Sequence, residues 1–328
     1  MTAPVICFGE LLLRLDAPRY ERLVQAATLS PTFTGGEANV AVALLQWGQP
    51  AAIVSKVPAH ELGQACVNQF RRYGVDTQHV QRGGDRLGVF FVETGASQRG
   101  SKVIYDRQHS SFRTLDPAEF DWATILDNAA WFHFSGTAPA LGGNVRQALA
   151  DALSAAKSRR IPVSFDCSYR STLWSIDEAR RVLPPLLEFV DVYFGSESDL
   201  PTFFDVTVPG RNGISAFQQR YGIDTVALTD RTVTETGVNR YWGLLARGDE
   251  VVESRAYDID VVDRIGAGDA FAAGVIRGLL RGDPLPASVE FATAAAVLKH
   301  SIPGDFALVS IAEIAASAAN ATTGRVQR

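Results

Sequence analysis

The sequence is poor in sulfur, with three cysteines and one methionine in 328 residues. Cys7, Cys66 and Cys167 are odd in number and lack Cys-x-x-Cys spacing, which argues against a disulfide framework or a zinc site and leaves them reduced and structural. No run of about 18 apolar residues is present to span a bilayer. The opening stretch MTAPVICFGELLLRL carries Glu10 and Arg14 where a secretory leader needs unbroken apolar residues, so a cytoplasmic protein is expected. The sequon Asn320-Ala321-Thr322 then has no use. An excess of positive charge is also missing. Lys and Arg total 31 against 36 Asp and Glu, a net charge of −5, and there is no clustered basic face of the kind that nucleic acid or anionic lipid requires. Neither GxxxxGK[ST] nor a GxGxxG followed by an acidic residue occurs, which excludes a P-loop and a nicotinamide oxidoreductase.

What is present is a chain that is 46% hydrophobic and 20% charged, enough to bury a large core. Short β-rich runs alternate with helical patterns, the signature of parallel α/β architecture. Strands are expected at Val5 to Phe8, Ala52 to Lys56, Trp131 to Ser135, Val163 to Asp166, Val190 to Phe194 and Thr225 to Thr229. Helices are expected at Asn39 to Trp47, at Leu62 to Tyr73 with Leu62, Cys66, Phe70 and Tyr73 on its apolar face, and around Val145, Leu149, Leu153 and Ala156. Gly48 and Gly74 stop the first two. Leu87 to Glu93 and Lys102 to Arg107 read as strands joined by the turn-rich TGASQRGS with no helix between them, hence a β-hairpin serving as edge, lid or subunit contact. The tail from Ala315 onward is small and polar and is expected to fray.

The segment VVDRIGAGDAFAAGVIRGLLRG places Gly266-Ala267-Gly268 between a strand end and a helix bearing Phe271, Val275 and Leu279 on one face. Backbone N–H groups and a helix N-terminus around one point form an anion site. Asp269, in the first turn, either caps the helix or faces the anion as a proton acceptor for an attacking hydroxyl.

These residues resemble the ribokinase-like (PfkB) sugar kinases. Their Asp-Thr-x-Gly-Ala-Gly-Asp run reads Asp263-Arg264-Ile265-Gly266-Ala267-Gly268-Asp269 here, and their Gly-Gly with Asn at the mouth of the first helix reads Gly35, Gly36 and Asn39. The resemblance spans essentially the whole chain. It implies a three-layer α/β sandwich with a central, mostly parallel sheet, one domain over 1–328 and a small β lid drawn partly from about 87–107. It also implies ATP and Mg2+ as cofactors, a homo-oligomer, and catalysis by Asp269 with Gly266, Ala267 and Gly268. Two departures stand out: Arg264 replaces the family's Thr, and Ser196-Glu197-Ser198-Asp199 replaces its magnesium-linked Asn-x-x-Glu. Glu197 and Asp199 either hold magnesium through water or form a solvated acidic loop. Thr229, Arg231 and the loop before Asp305 fall where the family lines its nucleotide pocket.

Three basic positions are candidates for reading the substrate: Arg14, Arg107 and Arg170. Arg170 follows a strand's carboxyl end, where open α/β sheets bind ligands. The stretches around Gly35, Gly84 to Arg107, Trp131 to Leu141, Asp166 to Ser175 and Leu298 to Ser310 are similar to the subgroup that phosphorylates 2-dehydro-3-deoxygluconate on its 6-hydroxyl. That similarity implies Gly35, Gly36 and Asn39 on the sugar, and Tyr105, Arg107 and Arg170 on the keto-acid end. Phe90 stands where the subgroup often has Tyr. His133, within WFHF, reads as a core histidine. A fructokinase, and a sugar- or nucleotide-binding regulator without turnover, are the alternatives.

Overall fold

In the computed structural model, described for residues 2–233 and 239–319, strands form two sheets. In chain order they are β1 (Val5–Phe8), β2 (Leu12–Asp16), β3 (Ser30–Thr34), β4 (Ala51–Val57), β5 (Val80–Arg82), β6 (Gly88–Glu93) and β7 (Lys102–Asp106). There follow β8 (Trp131–Ser135), β9 (Val163–Asp166), β10 (Val192–Gly195), β11 (Thr225–Val233), β12 (Asn239–Arg247), β13 (Glu250–Glu253) and β14 (Tyr257–Ile259). The large sheet runs β13-β12-β11-β10-β9-β8-β1-β4-β5, with β14 also on β12, and is parallel from β11 through to β5.

β1 shows why the strands are buried. Val5 and Cys7 face one core, Ile6 and Phe8 the other, and all four are at most 2% exposed. A strand covered on both faces has no use for polar alternation. The first core packs the helices Gly36–Gln46, Glu61–Arg72, Ala267–Arg281 and Leu285–Lys299 on the sheet, and the second packs Gly143–Arg159, Ile176–Leu186 and Gly210–Tyr221. The result is three layers, helix–sheet–helix. In the helix Gly143–Arg159, Val145, Leu149, Leu153 and Ala156 are fully buried, as their spacing predicts. Leu62 is a correction: it lies in the first turn of Glu61–Arg72 and is 53% exposed, so the buried stripe begins at Cys66. All three cysteines are buried and unpaired.

The predicted hairpin exists as β6 and β7, antiparallel and in register from Val89–Asp106 to Glu93–Lys102. It belongs to a second sheet ordered β3-β2-β6-β7, whose other two strands the sequence reading missed. Leu12, Phe90 and Val92 form a small apolar cluster on it that takes in Tyr105 and also Ile265, from the loop carrying the glycines. Antiparallel β12 to β14 were missed as well, and β11 extends four residues beyond the expected Thr229 to pair with β12. Ala315–Ala318 complete a capped helix, Ile311–Ala318, rather than fraying, while the rest of the tail from Asn320, with the sequon, lies outside the described residues. No helix among the described residues is long and apolar enough to cross a membrane.

Candidate active site

The loop before the helix Ala267–Arg281 is fixed by Asp263. Its Oδ1 accepts from the Ile265 N–H at 3.0 Å, and its Oδ2 from the Gly304 N–H at 3.0 Å and Arg14 Nη2 at 2.7 Å. Gly266 takes the left-handed conformation (φ 87°), and a Cβ there would stand 1.9 Å from the Asp305 carbonyl oxygen, so only glycine fits. No side chain caps this helix. The carboxylate of Asp269 instead accepts from Asn39 Nδ2 at 2.7 Å. The Thr34 hydroxyl lies 2.9 Å from Asn39 Oδ1 and also reaches Asp305 Oδ2, linking the Asn39 amide to the Asp305 carboxylate. Burial, with further pressure from the Asp166, Asp305 and Glu37 carboxylates, pushes the Asp269 carboxyl up to about 8, against the pull of Asn39.

Asp269 opens on a cavity of about 560 Å³. Ten of the residues singled out from sequence line it: Gly35, Gly36, Asn39, Phe90, Tyr105, Arg107, Arg170, Gly266, Gly268 and Asp269. Ala267 is buried behind them. Gly35 has a local reason to be glycine, since a Cβ would stand 2.5 Å from the Glu10 carbonyl oxygen, whereas a Cβ at Gly36 would meet Asp269 Oδ1 only at ordinary contact distance, 3.7 Å. Glu10, Glu37, Ser135 and Asp166 also line the cavity and were not recognised as site residues. Glu10 and Asp166 follow or end an apolar strand at its carboxyl end, the position that could have flagged them. Glu37 is buried, accepts from the Ser135 N–H at 3.0 Å and its hydroxyl at 2.5 Å, and is pushed up by burial.

The three arginines differ. Arg14 is buried among the carboxylates of Asp16, Asp263 and Asp305, outside the cavity lining. Arg107, also buried, donates through Nε to Glu10 Oε2 at 2.8 Å and through Nη2 to the same oxygen, with Ser110 on the other oxygen and the Tyr105 ring 5.6 Å away. Its charge is thus already matched. Arg170 is exposed to the cavity, and its one hydrogen bond among the described residues goes from Nη1 to the Tyr169 carbonyl at 3.1 Å. Phe90 is buried against Tyr105, ring centroids 5.5 Å apart. His133 is a core residue with one edge on the cavity: its Nδ1 lies 2.8 Å from Ser164 Oγ, and burial drives it down to about 3, so it is neutral.

A second cavity of about 450 Å³ adjoins the first, sharing Asp166, Arg170 and Gly268 and adding Thr229 and Asp199. Burial raises both Asp166 and Asp199, and Asp199 adds to the rise at Asp166. Glu197 is not beside Asp199. It accepts from the Gly210 N–H at 2.5 Å and faces a separate cavity of about 170 Å³, because the turn into the helix Asp199–Phe203 carries the two side chains apart. Arg231, exposed on the extension of β11, lines neither large cavity. Among the described residues no three His, Cys, Asp or Glu side chains cluster as a metal site.

Two adjoining cavities that share Gly268 at an uncapped helix N-terminus, the larger one lined by the Asp269 carboxylate, define a phosphoryl-transfer enzyme on a ribokinase-like fold. Residues 2–306 match the pfkB family carbohydrate kinases, and the chain belongs to that family. It is 33% identical over 315 residues to the 2-dehydro-3-deoxygalactonokinase of Haloferax volcanii, covering 96% of each chain. It is 27% identical to the 2-dehydro-3-deoxygluconokinase of Bacillus subtilis, covering 93% and 92%. Among solved structures, the 2-dehydro-3-deoxygluconokinase of Thermotoga maritima superimposes with a TM-score of 0.93 at 41% identity, over 97% of this chain and 99% of that one. A fructokinase from Xylella fastidiosa with bound ATP shares the fold at 21% identity and a TM-score of 0.81, over 98% and 99%.

Proposed function

We propose that this carbohydrate kinase transfers the γ-phosphoryl group of ATP to the 6-hydroxyl of 2-dehydro-3-deoxy-D-gluconate, giving the 6-phosphate and ADP. The observation that carries the reading is the placement of Asp269 on the wall of the larger cavity, held by Asn39 and next to Gly268, which lines both cavities. Asp269 accepts the hydroxyl proton as the oxygen attacks the γ-phosphorus and the bond to the ADP oxygen breaks. The N–H groups of the Gly266–Asp269 turn and the helix N-terminus stabilise charge on the equatorial oxygens.

The sugar occupies the larger cavity, with Gly35, Gly36, Asn39, Phe90 and Tyr105 around it. ATP occupies the smaller one, with Thr229 on its wall and Arg231 at its periphery. Asp166 and Asp199 suit Mg2+: both are hard oxygen donors on the nucleotide side, and burial leaves their charge under-compensated. Bound there, the ion supplies charge neutralisation at the phosphates. Glu197 joins this set only by leaving Gly210. We read residues 1–328 as one domain, with Leu87 to Arg107 in a lid that closes over the sugar.

Arg170 supports the acid. The Arg170 guanidinium acts on Asp166 through its charge but forms no direct ion pair among the described residues, so it offers a planar site for a substrate carboxylate, whereas Arg107 already serves Glu10. The relatives' names support the same class and add a second reading, the C4 epimer 2-dehydro-3-deoxygalactonate. A coupled ATP assay over both epimers, 5-dehydro-2-deoxygluconate and fructose tests the proposal. The expected result is kcat/KM for 2-dehydro-3-deoxygluconate at least about 10-fold above fructose, the lower end of the scale set by one charge-assisted contact of about 1.5–3 kcal/mol. Fructose used equally well contradicts it.

A further inference from the structure

Lys299 closes the helix Leu285–Lys299 and its side chain is fully buried. Its ammonium donates to two main-chain carbonyls, Asp263 O at 3.3 Å and Ile302 O at 3.1 Å, and among the described residues it forms no ion pair. A charged group is a costly filler for a core position, and a buried one persists where the charge itself is used. The two carbonyls belong to the two segments that build the anion site. Asp263 opens the loop that ends in Gly268 and Asp269. Ile302 opens the turn to Asp305, whose carbonyl Gly266 packs against.

Other contacts join the same segments: the Gly304 N–H reaches Asp263 Oδ2, and the Val262 and Asp263 N–H groups reach the His300 carbonyl at 2.8 and 3.1 Å. Burial lowers the pKa of the ammonium, with Arg14 acting in the same direction, while the carboxylates of Asp263, Asp305 and Asp269 all favour its charged form. By reciprocity that charge acts on Asp269 and on any anion beside it.

We infer that Lys299 is a positioning residue, a built-in cation that holds the Asp263–Gly268 loop in its anion-binding shape and strengthens the field where the phosphoryl group is transferred. The inference rests on the kinase reading above. A neutral side chain of similar size can fill the space, and Gln can restore a hydrogen bond, but neither supplies the charge.

The test measures kcat, both KM values and ADP affinity by calorimetry for the parent, Lys299→Met, Lys299→Gln and Lys299→Ala, with thermal melts to establish folding. Reactions are repeated with ammonium, methylammonium or tetramethylammonium chloride at equal ionic strength. The expected result is kcat lowered by about 10²-fold in both the Met and Gln variants, the scale of losing one preorganised electrostatic contact, with the sugar KM within a few-fold. Ammonium or methylammonium restores Lys299→Ala by at least about tenfold, the bulky tetramethylammonium does not, and none of them moves the parent. If Lys299→Ala does not fold, the Met and Gln variants decide alone. A Gln variant turning over like the parent, or folded Met and Gln variants both within about threefold of it, overturns the inference, as does a folded Lys299→Ala that no small amine improves. If the parent phosphorylates none of the sugars, the function reading fails, and the ADP affinities with and without ammonium still decide the role of Lys299.

Discussion

Asn39 and Asp269, 230 positions apart in the chain, are joined by a 2.7 Å hydrogen bond from Nδ2 to Oδ2. This contact brings the two glycine-bearing segments, one at each end of the sequence, to a single point. It also separates the two roles open to Asp269 from sequence: the carboxylate is turned into the cavity and held there, while the helix it belongs to has no side-chain cap.

The raised Asp269 carboxyl predicts a pH profile. The base works deprotonated, so kcat/KM rises with pH through about 8 and falls on the acid side, far above an ordinary aspartate. Stability runs the other way. A carboxyl raised on folding favours the folded chain below its ordinary unfolded value of about 4, and that contribution is lost as pH rises toward about 8. Melting curves of the parent and Asp269→Asn should therefore diverge in the variant's favour across that interval and run parallel above it. Parallel curves throughout would show that the carboxyl titrates normally.

Acid specificity is assigned to Arg170. Arg170→Leu should lower kcat/KM for the sugar acid by about 1.5–3 kcal/mol, roughly 10- to 150-fold, and leave fructose use, where measurable, little changed. Equal losses for both substrates would make Arg170 a scaffold residue.

Arg107 is predicted to act mainly through Glu10. Both are buried, so Arg107→Met strands a carboxylate and should destabilise the fold by about 3–5 kcal/mol in denaturant unfolding. Adding Glu10→Gln should recover most of that loss. A destabilised double variant would mean that the pair contributes more than mutual neutralisation.

Much of this site is written locally. The turn at Gly266-Ala267-Gly268, the helix behind it and the strands β1, β8 and β9 follow from periodicity and glycine placement, because each depends on near neighbours in sequence. What escaped depends on partners far along the chain. β3 has Phe33 as its one large apolar residue, and β2, despite Leu12, Leu13 and Leu15, lies in the same short run as β1; β2 is held as a strand by pairing with β3 and β6. Arg107 looked like a free cation until Glu10, 97 positions away, was brought beside it. Glu197 and Asp199 looked like a pair, but adjacent carboxylates at a helix start point in different directions, and one short turn separates them.

The central claim is that Asp269 is the base, and Asp269→Asn tests it most directly, since the substitution keeps the shape of the side chain and a polar contact to Asn39 while removing the proton acceptor. The account predicts a folded variant that binds ATP and the sugar acid with affinities near the parent's and has kcat lowered by about 10²- to 10⁴-fold. A kcat within a few-fold of the parent's would contradict it.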